Sequence, residues 1–294
     1  MEWKNRRIEA ILEQALVEDK ATSDVTTALT IDPSLRATAT VIAKEECIVA
    51  GLGCIPRFLD IFARLDSRNS GRYEVVSHPE IFDGVRARKG QAVAVIRHNA
   101  RVILACERVM LNLMQRMSGI ATITRRYVDA VEETGARILD TRKTVPGLRV
   151  LDKYAVRCGG GENHRLDLSD GILIKNNHIS LGGGIEKVLT RAKERRKAGQ
   201  IIDIEVRNIP ELELALDFGA ESLLLDNMTP KEVKKAIAVV QDRGLDIPIE
   251  ASGGITLENV RKYALAGPDY ISVGALTHSA TAVDLSMRIT AELY

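Results

Sequence analysis

The stretch I-I-D-I-E-V-R-N-I-P-E-L-E-L-A-L-D-F-G-A-E-S-L-L-L-D-N, residues 201–227, decides the fold. It opens on a short apolar run at 201–206, passes through a helical pattern from Leu212 to Phe218, and returns to an apolar run at 222–225. Strand, helix and strand in that order imply two parallel strands joined by a right-handed crossover. The same alternation spreads outward on both sides. Apolar runs recur at 137–139, 171–174, 247–250 and 269–273, and between the later ones lie helical patterns at Ile185-Val188-Leu189-Ala192, Val233 to Val240 and Val260 to Leu265. Repeated units of this kind build an α/β domain with a parallel sheet. Six clear runs fit a closed or nearly closed β/α barrel better than a full eightfold one. A doubly wound sheet is the alternative, but the G-x-G-x-x-G that usually follows its first strand is missing.

β/α barrels carry their reactive residues at the C-terminal ends of the strands. Every run here ends in polar or glycine-bearing sequence: Asp140-Thr141-Arg142-Lys143, Lys175, Glu205, Asp226-Asn227, Ser252-Gly253-Gly254 and Gly274-Ala275. In I-D-I-E-V-R (202–207) the two-residue period of a strand puts Asp203, Glu205 and Arg207 on one face, where they are expected to meet the barrel mouth or each other. Between Asp140 and Ile179 the chain also gathers Arg142, Lys143, His164, Arg165 and Lys175. Such a concentration of cations points to a small polyanion. The stretches E-A-S-G-G-I-T and S-V-G-A-L-T each precede a helix or a helix-like turn, so their backbone N–H groups are candidates for a phosphate cradle. Gly159-Gly160-Gly161 lacks the G-K-[ST] ending of a P-loop, and Gly182-Gly183-Gly184 is expected to loosen a loop and start a helix. His78, His98, His178 and His278 show no metal-binding spacing.

The N-terminal part reads differently. Ile8, Ile11, Leu12, Ala15 and Leu16 predict an amphipathic helix over 4–18, and Thr22-Ser23-Asp24 supplies turn and capping chemistry. Residues 37–49 are β-rich, 55–65 return to helical period, and 73–96 hold several short strands punctuated by His78-Pro79, Asp83-Gly84 and Lys89-Gly90. A long, mostly apolar helix covers A-C-E-R-V-M-L-N-L-M-Q-R-M-S-G (105–119), with Arg108 and Arg116 on neighbouring parts of its surface. On their own these two arginines read as a solvated or subunit-facing pair. Residues 1–117 thus form an α+β module, 118–275 the barrel, and the tail 276–294 is expected to pack back on the module.

Composition sets outer bounds. A chain of 294 residues with 45% hydrophobic content supports a sizeable core. The 41 Lys plus Arg nearly cancel the 40 Asp plus Glu, so a bulk basic surface for nucleic acid is not indicated. Cys47, Cys54, Cys106 and Cys158 have neither C-x-x-C nor zinc spacing and read as reduced thiols. No apolar run approaches the ~18 residues of a membrane span. M-E-W-K-N-R-R leads directly into the first amphipathic pattern, so no signal peptide and a cytoplasmic location are expected.

Nearly the whole chain resembles the quinolinate phosphoribosyltransferases. The likeness rests on D-V-T-T (24–27), E-R-V-M-L-N-L-M-Q-R-M-S-G-I-A-T (107–122), D-T-R-K-T-V-P-G-L-R (140–149), L-D-K-Y-A-V (151–156), G-G-G-E-N-H-R (159–165) and L-I-K-N-N-H-I (173–179). It continues through L-L-D-N-M (224–228), E-A-S-G-G-I (250–255) and S-V-G-A-L-T-H-S (272–279). The resemblance implies an N-terminal α/β sandwich module joined to an incomplete α/β barrel of about seven strands. It implies transfer of phosphoribosyl from phosphoribosyl pyrophosphate to quinolinate with decarboxylation, giving nicotinate mononucleotide for NAD synthesis. It further implies a homodimer, or a larger oligomer, in which Arg108 enters the neighbouring subunit's site. Arg142, His164 and Arg165 would bind the two carboxylates of quinolinate, with Thr141 beside them. Lys143 and Lys175 would neutralise pyrophosphate, and Glu205 and Asp226 would hold the ribose hydroxyls and magnesium. Ser252, Gly253, Gly254, Val273, Gly274 and Ala275 would cradle the 5-phosphate through their backbones.

Two positions depart from the family pattern: Arg207 stands where an acidic residue is usual, and Asn176 where an aspartate is. Three other readings compete. A paralogous group encoded with molybdate transport shares the fold, but the intact D-T-R-K-T and N-H-R sequences argue against it. A silent scaffold barrel would have lost some charged strand ends. A Schiff-base aldolase using Lys143 or Lys175 would not need three arginines and a histidine.

Overall fold

The computed structural model describes residues 2–67, 71–76 and 78–292, so the last two residues of the tail lie outside the described residues. The chain opens with α1 (Arg6–Glu18), α2 (Val25–Thr30), β1 (Arg36–Ala43), β2 (Cys47–Ile48), α3 (Cys54–Leu65), β3 (Glu74–Val76), β4 (Arg86–Ala87) and β5 (Ala92–Asn99). It continues with α4 (Ala100–Ala130), β6 (Arg137–Leu139), α5 (Arg149–Cys158), β7 (Ile172–Ile174), α6 (Asn176–Gly182), α7 (Ile185–Arg195), β8 (Ile202–Val206) and α8 (Ile209–Asp217). It ends with β9 (Ser222–Asp226), α9 (Pro230–Asp242), β10 (Ile249–Ser252), α10 (Val260–Ala264), β11 (Tyr270–Ser272), α11 (Ala275–His278) and β12 (Leu285–Ala291). Among the described residues no helix is long and apolar enough to cross a membrane.

Two compact units result. The first comprises Met1–Arg125, Thr144–Gly160 and Ser279–Tyr294. Its main sheet is antiparallel in the order β12-β1-β5-β3. β1 alternates half-buried and buried residues, with Ala37, Ala39, Val41 and Ala43 turned inward, as a strand with one covered face must. Ile8, Leu12 and Leu16 of α1 and Phe58, Leu59 and Phe62 of α3 are buried by the same logic at helical spacing. Asp24 does cap a helix: its carboxylate accepts the Thr27 N–H at 3.0 Å and begins α2. Helix α4 does not stop at Gly119 but runs on to Ala130. A Cβ at Gly119 would lie 2.1 Å from the Thr281 carbonyl oxygen, so glycine sits mid-helix because another backbone passes against it. Arg116 is no free surface cation. Its guanidinium donates twice to the fully buried Asp152 at 2.8 Å, a bidentate pair.

The second unit comprises Arg126–Lys143 and Gly161–His278. Its six strands are all parallel, in the order β6-β11-β10-β9-β8-β7. Beyond β6 a parallel bridge joins Leu139 to Glu162, with Glu162 N–H donating to Ile138 at 2.8 Å and Asp140 N–H to Glu162 at 3.1 Å. This single bridge is a seventh strand in rudiment, and the barrel is incomplete. Register sorts the side chains. Ile202, Ile204, Leu223, Leu225, Ala251 and Ile271 are fully buried on one face. The opposite face carries Asp203 beside Ser222, Glu250 beside Leu224, and Ser252 between Asp226 and Ser272. A slip of one residue would exchange the two sets.

Candidate active site

The polar face of the parallel strands opens into a cavity of about 580 Å³, a size suited to a small ligand. Thr141, Arg142, Lys143, His164, Arg165, Lys175, Glu205, Asp226, Ser252, Gly253 and Gly254 all line it. Strand order fixes their arrangement around the rim. His164 and Arg165 follow the Glu162 bridge, Arg142 and Lys143 follow β6, the serine–glycine stretch follows β10, and Asp226, Glu205 and Lys175 end β9, β8 and β7. Arg142, Lys143, His164 and Arg165 therefore lie on one arc of the mouth, and Lys175 joins Glu205 and Asp226 on another.

Asp140 organises the cationic arc. It is fully buried, and its carboxylate accepts the His164 backbone N–H at 2.9 Å and the Asn163 amide at 2.6 Å. That ties the N-H-R sequence to the end of β6. The His164 ring is half-buried; its Nδ1 accepts the Arg165 N–H at 2.7 Å, and its Nε2 faces Glu250 at 3.4 Å. Burial, and then the like charge of Arg142, press Arg165 below the usual arginine range, although Asp203 and Asp170 oppose them. A guanidinium that feels a second positive charge gains from a bound anion. Thr141 accepts the Lys143 N–H at 3.0 Å through its hydroxyl, and the Lys143 carbonyl accepts the Thr277 hydroxyl at 2.9 Å. These bonds fix the backbone and leave the Lys143 side chain exposed.

The acidic arc is smaller. Glu205 is buried, and desolvation followed by repulsion from Asp226 holds its carboxyl above the usual range; Lys175 and the Asn176 bond pull the other way. Asn176 donates its amide to Glu205 at 2.8 Å. The residue that departs from the family pattern thus orients a site carboxylate. Arg207 does not join Glu205 and Asp203 on the inner face. It lies one residue past β8 and pairs with Glu211 at 2.8 Å in the first turn of α8. Asp203 remains inside, raised by burial and facing His164, Glu250 and Arg165. Among the described residues no group of three or more His, Cys, Asp and Glu could hold a metal. Two carboxylates are nonetheless a fitting donor set for magnesium, which keeps its waters and shares substrate phosphates.

The glycine stretches differ from each other. Gly253 and Gly254 both have positive φ, +91° and +62°, and a Cβ on Gly253 would meet Asn227 Oδ1 at 2.3 Å. A bend and turn follow, and helix α10 begins only at Val260, so the helix dipole does not point from the serine–glycine stretch. Gly274 leads straight into α11, and a Cβ there would crowd Lys143 at 3.1 Å. Val273, Gly274 and Ala275 are not among the lining residues, and the Val273 N–H is committed to the Leu139 carbonyl at 2.9 Å. Val273 cannot offer that amide to a phosphate, because β11 uses it to pair with β6. Arg108 is exposed on α4 in the first unit and does not line the cavity. The sequence reading missed Glu250, which lines the cavity one strand layer below Ser252. The alternation I-E-A-S was the available signal, but Glu250 was absorbed into an apolar run.

Comparison with known proteins gives this geometry its context. The models of the quinolinate phosphoribosyl transferase N-terminal and C-terminal domains match residues 24–118 and 120–288. A Bacillus subtilis (strain 168) protein named probable nicotinate-nucleotide pyrophosphorylase (carboxylating) is 40% identical over 286 residues, covering 97% of this chain and 94% of its own. Quinolinate phosphoribosyltransferase (decarboxylating) 2b, mitochondrial, from Nicotiana tabacum is 38% identical over 305 residues, covering 97% and 83%. The crystal structure of NadC from Streptococcus pyogenes superposes with a TM-score of 0.88 at 36% identity, covering 97% of each chain. With both halves matched, and relatives this similar over nearly its full length, the chain belongs to the quinolinate phosphoribosyltransferase family.

Proposed function

We propose that this protein transfers the phosphoribosyl group of phosphoribosyl pyrophosphate to quinolinate and decarboxylates the product, releasing nicotinate mononucleotide, carbon dioxide and pyrophosphate. One observation carries the reading: a single cavity holds Arg142, His164 and Arg165 on one arc, and Glu205 with Asp226 on another, with Lys143 and Lys175 beside them. A dicarboxylate and a phosphorylated sugar need those two surfaces. Planar guanidiniums pair bidentately with carboxylates, whereas ammonium groups act as point charges toward a diphosphate.

In this reading Arg142, His164 and Arg165 bind quinolinate and aim its ring nitrogen at the anomeric carbon. Glu205 and Asp226 hold the ribose hydroxyls and stabilise the positive charge that develops on the ribose as pyrophosphate departs. Lys143 and Lys175 stabilise the leaving group. Glu205 and Asp226 would hold magnesium, which would supply further neutralisation of the diphosphate charge. The backbone at Ser252–Gly254, with Gly274 nearby, receives the 5-phosphate. Once the ring nitrogen is alkylated, its positive charge stabilises the electron pair left on C2 as the 2-carboxylate leaves, and a solvent proton takes its place. No side chain becomes a covalent nucleophile, so catalysis is positioning and electrostatics. The working form is a homodimer in which Arg108 reaches the partner's site, and the location is cytoplasmic.

The test is an assay of the purified protein with quinolinate, phosphoribosyl pyrophosphate and magnesium. Equimolar carbon dioxide and nicotinate mononucleotide are expected. Reaction of nicotinate in place of quinolinate would overturn the substrate assignment.

A further inference from the structure

We propose that Glu250 is a positioning residue of the site, fixing the His164 imidazole by accepting its Nε2–H and acting on the dicarboxylate only through that ring. The inference rests on the proposed function, because it takes His164 to meet that substrate.

His164 is constrained from two directions. Its Nδ1 already accepts the Arg165 backbone N–H at 2.7 Å, so in the neutral ring the proton resides on Nε2. That nitrogen faces Glu250 Oε2 at 3.4 Å. Which nitrogen carries the proton is thus decided by the bond at the other one. Meanwhile the Asp140 carboxylate holds the backbone of the same residue.

Glu250 is placed for this role and for little else. It is 9% exposed, and its Oε1 is buried without a hydrogen-bond partner among the described residues. The inner-face register sets it opposite Leu224, whereas Asp226 pairs with Ser252. Charged groups close to the His164 ring include Asp203 from β8 and the neighbouring Arg165. Asp203 repels Glu250, and the His164 Nε2 at 3.4 Å is what draws that carboxylate toward the ring. A buried carboxylate holding an imidazole by one N–H fixes both tautomer and ring plane.

Glu250→Leu removes the acceptor at similar size, and Glu250→Gln retains an acceptor oxygen without charge. The leucine variant is expected to raise the KM for quinolinate about tenfold while leaving the KM for phosphoribosyl pyrophosphate unchanged; the glutamine variant should stay much nearer wild type. In a His164→Ala background, Glu250→Leu should add no further change beyond about twofold. An equal added loss in both backgrounds overturns the proposal. Independently, ¹H–¹⁵N spectra of the imidazole should show a protected Nε2–H in wild type and Glu250→Gln, lost in Glu250→Leu. An Nε2–H signal indifferent to the leucine substitution also overturns it. Glu250→Met replaces the leucine variant in every arm should that one not fold. If His164→Ala leaves the quinolinate KM unchanged, the assignment of His164 to the substrate fails, and the spectra alone decide whether Glu250 positions the ring.

Discussion

Burial and the like charge of Arg142 raise the cost of charge on Arg165, and the nearby acids do not cancel it. In the proposed reading an incoming dicarboxylate would relieve that repulsion with paired hydrogen bonds. Arg142→Lys keeps the charge but loses the fork, so it is expected to raise the quinolinate KM about tenfold and leave phosphoribosyl pyrophosphate binding unchanged. Steady-state kinetics with each substrate varied in turn checks this. His98 allows a second prediction at the same scale. It is 1% exposed on β5, and burial, reinforced by Arg36, lowers its pKa from 6.5 to about 4. Between those values the unfolded chain takes up a proton that the folded chain refuses. Stability should therefore fall as pH drops from about 6.5 toward 4, with a slope approaching 1.4 kcal/mol per pH unit. Denaturant midpoints across this range should show a shallower slope in His98→Phe. Single residues were legible in sequence where a polar side chain interrupted a run, as at Arg142 and Asp226. Glu250 was not, nor was the bonding role of Asp140, because both depend on neighbours more than twenty positions away.

At the scale of elements, the alternation of strand and helix across residues 201–227 led to the parallel sheet, and β8, α8 and β9 occupy that stretch. Periodicity survives there because each strand buries one face against helices and turns the other to the cavity. Helix α4 defeated the same approach. A glycine in a helical pattern costs about 1 kcal/mol against alanine, so a sequence reading ends the helix there. What holds Gly119 inside α4 is the segment at Thr281, which local pattern cannot reveal. The ordinary gain from Gly→Ala in a helix should therefore reverse. Gly119→Ala is expected to destabilise the protein by about 1–3 kcal/mol, since the new methyl must push aside a backbone carbonyl. A glycine-to-alanine change that raised the thermal midpoint would contradict the close approach. The seventh strand escaped pattern reading for another reason: a single bridge at Glu162 has no periodicity to detect.

For the whole molecule, the proposal to test is that Arg108, exposed on α4, completes a partner's site. Composition and spacing gave it only a surface role; the family resemblance assigns it to a partner's site. The two views predict different behaviour in mixtures. Arg108→Ala and Arg142→Ala should each abolish most activity alone, because every site in either homodimer lacks one arginine. If Arg108 acts across the dimer, a hybrid carries both substitutions in one site and none in the other. With equal mixing, half the dimers are hybrids and half their sites are intact, so activity should recover to about a quarter of wild type. If Arg108 served the cavity of its own chain, hybrids would contain two singly damaged sites and nothing would return. Subunit exchange is verified by mass-tagging one variant and isolating the hybrid. Its activity per dimer should then be about half that of wild type, which separates a shared site from incomplete mixing.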